Sequence, residues 1–145
     1  MKTKIMFSVS IIVITILSTS NFSCKDKCKD VAGTGGSFTI AAFPKHHSVP
    51  IISESKPGYP DSAFVKFSPP GDFVTTSNPA DYDLMLVGDS GEDHVHLENL
   101  KCGNYYIFMT GWDVNINQRV KGGIPFSIAV DAPSEIDQDI PVTED

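Results

Sequence analysis

From Ser37 onward the chain consists of short runs rich in β-forming residues, cut apart by Pro, Gly, Asn and Asp. SFTIAAF (37–43) alternates through Phe38, Ile40 and Ala42, and AFVKFS (63–68) carries Phe64, Val65 and Phe67. YDLMLVG (82–88) is a compact apolar run; HVHLENL (94–100), NYYIFMTGW (104–112), IPFSIAV (124–130) and EIDQDIPV (135–142) complete the set. A period of two sends successive side chains to opposite faces of a strand. Nowhere do apolar residues recur at helical spacing between capping residues. Ten prolines and eleven glycines separate the runs, and there is no internal repeat. Short strands at this spacing predict an all-β domain over 37–145, a seven- to eight-stranded antiparallel β-sandwich.

The clearest local register lies around GEDHVHLENLKCGNYY (91–106). Leu100-Lys101-Cys102-Gly103-Asn104 predicts a short hairpin, with Gly103 available for a positive φ. With Leu100 opposite Asn104, Leu97 meets Ile107 and Val95 meets Met109 on the buried face. His94, His96 and Glu98 then share the other face with Thr110, Phe108 and Tyr106. A slip of one residue would bury the histidines and expose Val95 and Leu97, so the apolar pattern favours this register. The segment DVNINQRVKGG (113–123) reads as a long loop covering Trp112. Tyr106 and Phe108 either are covered as well or form a patch for a ligand or partner.

The first 23 residues have a different character. Lys2 and Lys4 precede IMFSVSIIVITIL (5–17), and small polar residues follow. The apolar run is shorter than the roughly 20 residues a membrane-spanning helix needs, so 1–23 is expected to be a secretory signal. Residues 25–36, KDKCKDVAGTGG, are charged and then glycine-rich, the composition of a flexible tether (24–36). The chain carries a net charge of −7, and the signal contributes two lysines and no acid, so the remainder is more acidic still. An acidic domain repels phosphate backbones, which argues against nucleic-acid partners.

FSC (22–24) resembles the end of a bacterial lipobox, and Cys24-Lys25-Asp26-Lys27 resembles the export signal of surface lipoproteins in one Gram-negative phylum. That resemblance implies acylation of Cys24 and a lipid anchor at the outer membrane or cell surface, although Asn21 stands where a lipobox prefers Leu. The alternative is cleavage near Ser20 and a periplasmic or secreted domain. An extracytoplasmic compartment permits a disulfide between Cys28 and Cys102, the other reading being two unpaired thiols.

HVHLENLKCGNYYIFMTGWD (94–113) is similar to the most recognisable stretch of carboxypeptidase-regulatory-like and other transthyretin-like β-sandwich domains. Val95, Leu97, Asn99, Leu100, Gly103, Tyr105, Ile107, Gly111 and Trp112 carry the likeness. Lys101-Cys102 departs from the proline usual at that turn. The resemblance implies a fold, and a module that binds or scaffolds rather than catalyses. Gly88, His94 and His96 also resemble the opening of a cupin metal motif. The Glu that should follow falls on Leu100 or Lys101, with Glu98 too early.

Candidate chemistry centres on the four histidines, which fall in two pairs, His46-His47 and His94-His96. On a strand, residues i and i+2 stand about 7 Å apart on one face, a spacing that suits two ligands of one ion. Zinc or copper would accept their imidazole nitrogens, with Glu98 a possible addition on the same row. On an extended chain His46 and His47 point opposite ways, so at most one of them would aim at a shared site. The plain alternative is a pair of solvated histidines. Asp89, Glu92 and Asp93 could hold calcium but lack the spacing of an EF-hand loop. No nucleophile motif, H-E-x-x-H or phosphate loop is present, so no catalytic residue is assigned. The expected function is a non-enzymatic envelope lipoprotein with a protein or glycan partner, binding a transition metal through paired histidines. The alternative is a small cupin-like, metal-dependent enzyme using the same histidines.

Overall fold

The computed structural model describes Cys28, residues 31–76 and residues 78–144. The expected signal 1–23, the lipidation site Cys24 and the tether as far as residue 27 lie outside the described residues.

Eight strands form the domain: β1 (Thr34–His46), β2 (Val49–Pro50), β3 (Ser62–Ser68), β4 (Leu84–Val87), β5 (Val95–Leu100), β6 (Gly103–Asp113), β7 (Gln118–Ile128) and β8 (Glu135–Glu144). Among the described residues no helix is long and apolar enough to cross a membrane. The main path of the sheet runs β1-β8-β7-β6-β3-β4, with β5 and the short β2 both paired to β1. All neighbours are antiparallel except β1 and β8, which run parallel from Thr39–Glu135 to His46–Val142. The sheet is therefore mixed and curled, which corrects the antiparallel-only expectation. Parallel neighbours need a long crossover. Here the first and last long strands meet, and nearly the whole domain is the connection between them.

The inner face of the curl is the core. Ile40 and Ala42 of β1, Val65 of β3, Leu97 of β5, Ile107 and Met109 of β6, Val120 of β7 and Ile140 of β8 have no measurable exposure. Burying an aliphatic side chain of this size contributes roughly 1.5–3 kcal/mol. β6 is the plainest case, with every odd residue from Gly103 to Asp113 buried and every even one partly exposed.

The expected hairpin between residues 100 and 104 is absent. β5 pairs with β1 instead, Ile40 opposite Leu97 and Ala41 opposite His96. β6 lies between β3 and β7. Lys101 and Cys102 turn a corner from one side of the curl to the other. The faces were legible even though the partner was not: Val95, Leu97 and Leu100 are buried, and His96 and Glu98 are exposed. Leu100 breaks strict alternation because Asn99 adopts a left-handed conformation, φ 58°. Gly36 lies against the Leu100 carbonyl so closely that any side chain would overlap it.

Two further expectations change. Residues 31–36 are part of the domain rather than of a loose tether, and β1 begins at Thr34. Ala32 joins the core at 5% exposure. The Lys101 N–H donates to the Gly33 carbonyl at 2.9 Å. The Tyr105 hydroxyl accepts the Gly33 N–H at 3.2 Å and lies 2.7 Å from the Lys101 carbonyl. A disulfide joins Cys28 to Cys102, with Cα atoms 5.8 Å apart. The expected 113–123 loop is mostly the start of β7, paired with β6 from Asp113–Gln118 onward. Trp112 is covered from elsewhere, by Tyr59 at 4.6 Å between ring centres and by the Lys56 ammonium 3.4 Å above its ring.

Candidate metal centre

Three inward-facing rows end together at one mouth of the curl. On β1 the row Ile40, Ala42, Pro44 ends in His46. On β6 the row Tyr105, Ile107, Met109, Gly111 ends in Asp113. On β8 the row Ile140, Val142 ends in Glu144. Strand periodicity thus delivers an imidazole and two carboxylates where the apolar core stops.

His46 is only 3% exposed and Asp113 6%. The His46 Nδ1–H donates to Asp113 Oδ2 at 2.8 Å. Asp113 Oδ1 accepts the Asn115 N–H at 2.8 Å, which fixes the carboxylate in turn. The His46 Nε2 is 3.3 Å from Glu144 Oε2 but is not aligned for a hydrogen bond, leaving it buried without a hydrogen-bond partner. The bond to Asp113 raises the His46 pKa; burial works against this and Glu144 adds to it. Burial pushes the Asp113 carboxyl up, yet the bonds from His46 and Asn115 outweigh it and hold the pKa below the usual carboxylate range.

His47 joins from the turn. His46 pairs with Val49, leaving a two-residue loop, His47-Ser48, in which both residues are left-handed at φ 48° and 68°. A two-residue hairpin favours this backbone, but Asn-Gly is its usual sequence. A bulky residue at positive φ is uncommon, and such strain clusters at functional sites. The bend brings the two imidazoles to 4.2 Å between ring centres. That corrects the expectation that adjacent histidines point apart, because the chain is not extended at His47. One ligand atom each of His46, His47 and Glu144 lies within 4.8 Å of the others.

The second pair stands elsewhere. Ala41 and His96 are register partners on the outer side of the sheet, whereas His46 has the parity of the inner row. The two pairs therefore lie on different faces, and among the described residues the potential metal ligands gather in two separate groups, one with His46 and His47 and one with His94. His94 Nε2 and His96 Nε2 are 3.0 Å apart, and the His94 Nδ1–H donates to Asp93 Oδ1 at 2.9 Å. Glu98 continues the exposed row of β5. This pair borders a cleft of about 420 Å³ between the two edge strands β4 and β5, lined also by Leu84, Leu86, Glu92 and Glu98.

A further buried acid lies near the mouth. Asp61 has no exposure, and neither carboxylate oxygen has a hydrogen-bond partner. Desolvation pushes its pKa up to about 7. Gly111 makes room for it, since a Cβ there would stand 2.5 Å from Asp61 Oδ1.

Sequence reading found all four histidines, and Asp113 could serve beside Glu98 as the acid or base of an enzyme using them, but it did not pair Asp113 or Glu144 with His46, nor Asp93 with His94. The signal for the first two was parity: each continues the apolar row of its strand by one step. No family model, curated protein or solved structure matches this chain.

Proposed function

We propose that this protein is a non-enzymatic envelope module that holds a divalent transition ion, zinc by its ligand set, at the mouth of the curled sheet. The ligands are His46 through Nε2, His47 and Glu144. One observation carries the reading: the buried His46 Nε2 has no hydrogen-bond partner while Nδ1 is bound by Asp113. A carboxylate on one imidazole nitrogen selects the tautomer that leaves the other nitrogen's lone pair free, the usual arrangement behind a metal-bound histidine. Two imidazoles and a carboxylate form a zinc-type set with a fourth position for water or a partner group. The strained His47-Ser48 turn supports the same reading, because it sets a second imidazole beside the first.

The lipid anchor at Cys24 and the outer-membrane address belong to this proposal and rest on the sequence around that cysteine. The transthyretin-like sandwich belongs here too, supported by eight strands curling around one core. A protein or glycan partner is the remaining part of the reading.

The test is zinc stoichiometry on the purified, untagged protein. One zinc per chain is expected. His47→Ala together with Glu144→Gln should lower its affinity at least about tenfold while leaving the fold intact, since both side chains are exposed. Zinc binding unchanged in that double variant, or none in the parent, would overturn the reading.

A further inference from the structure

We infer that the cleft between β4 and β5 is a second metal site, independent of the mouth, taking copper(II) through His94 and His96. The case begins with the strand. His94 and His96 straddle Val95, which is buried, so both imidazoles are fixed on the outer side of β5 by the packing of the residue between them. Their Nε2 atoms are already 3.0 Å apart. Two nitrogens bound to one ion at about 2.0–2.1 Å stand roughly 3 Å apart when they occupy adjacent corners. A small rotation of the rings converts the nitrogen–nitrogen contact into two bonds to a shared ion.

His94 has the tautomer this requires. Its Nδ1–H is donated to Asp93 Oδ1 at 2.9 Å, so its Nε2 carries the lone pair and accepts the His96 Nε2–H across the 3.0 Å contact; the ion takes the place of that proton, and His96 keeps its other proton on Nδ1. Phe43, opposite on β1, packs against the His94 ring at 5.0 Å between ring centres and limits its swing. Carboxylates lie beside His94 and along the cleft. One ligand atom each of Glu92, Asp93 and His94 lies within 4.8 Å of the others, and Glu92 and Glu98 line the same cleft. An imidazole pair, a nearby carboxylate and open access for water suit the tetragonal preference of copper(II), which also stands highest among divalent first-row ions for nitrogen and oxygen donors.

The two sites differ in kind. The mouth joins three strands around a buried nitrogen, whereas the cleft needs one strand and lies open to solvent. The cleft ion should therefore exchange readily, and its loss should leave the fold unchanged.

The experiment titrates copper(II) chloride into the untagged protein carrying His47→Ala and Glu144→Gln, followed by electron paramagnetic resonance. The expected result is one copper per chain whose spectrum shows nitrogen coupling from two imidazoles. Adding His94→Ala and His96→Ala should abolish that signal with the melting temperature unchanged. Asp93→Asn, a positioning change, should weaken copper binding about tenfold while preserving the two-nitrogen spectrum. A copper signal that survives loss of both histidines, or no copper bound before their removal, would overturn the proposal. The mouth reading is judged separately by zinc on the parent protein and on the mouth variant, so either site can fail without the other.

Discussion

The two histidine pairs make a natural comparison, because each includes an imidazole whose Nδ1 is held by a carboxylate. At the mouth the holder is Asp113, buried with His46 at the end of the core; at the cleft it is Asp93, beside His94 on an outer face. The atoms and the bond lengths, 2.8 and 2.9 Å, are nearly alike. Their surroundings are not. Water screens and replaces the outer bond, whereas at the mouth a lost partner leaves a charge or a polar atom stranded. The same local chemistry is therefore a structural commitment in one place and an adjustable contact in the other.

The sharpest way to break the comparison is to remove both holders. Asp113→Ala should destabilise the metal-free protein by about 3–5 kcal/mol, since it strands His46 in the interior. Asp93→Ala should change stability by less than about 0.5 kcal/mol. Denaturant unfolding of the two variants measures both, and equal effects would show that burial does not distinguish the pairs.

Asp61 shows what a carboxylate does in this interior without an imidazole. Its folded pKa, about 7, lies above the ordinary value of 3.8. Between those values the unfolded chain has released the proton while the folded chain keeps it. Stability contributed by this group is thus complete below about pH 4 and falls as pH rises towards 7. The whole loss is about 4 kcal/mol, and it levels off above the folded pKa. Asp61→Asn should remove this part of the pH dependence in unfolding curves taken between pH 4 and 8. An unchanged slope would mean that Asp61 is ionised in the folded protein.

The smallest effect concerns the turn. Ser48→Gly relieves the left-handed conformation at φ 68° and should stabilise the protein by about 0.5–1 kcal/mol, with zinc affinity retained because His47 stays in place. No gain in melting temperature would show that the turn carries no strain at Ser48.

Much of this was legible in the chain. Alternation gave the strands and their faces, down to His96 and Glu98 outside and Val95 and Leu97 inside. It could not give partners, because a period of two says which way a side chain points and nothing about which strand lies alongside. Residues 94–113 read as a hairpin for that reason, whereas β5 pairs with β1, with a bend at Asn99 and Gly36 packed against the Leu100 carbonyl. The mouth was half legible. His46 was visible as a residue type, but its partners lie 67 and 98 positions away: Asp113 meets it from β6 across the curl, and Glu144 through the parallel pairing of β1 with β8. His47 was misjudged because His-Ser is not an expected sequence for a left-handed pair.

The disulfide between Cys28 and Cys102 has a mechanical meaning. Tension on the chain ahead of Cys28 would otherwise load Thr34 and peel β1 from β5 and β8, opening the sheet one hydrogen bond at a time. With Cys28 joined to Cys102, the load enters at the corner between β5 and β6 and bypasses the segment leading into β1. The strand that ends in His46 is then sheltered from any pull on the N-terminal side. Reducing conditions should make the protein yield to force from the opposite end of the strand that carries its mouth.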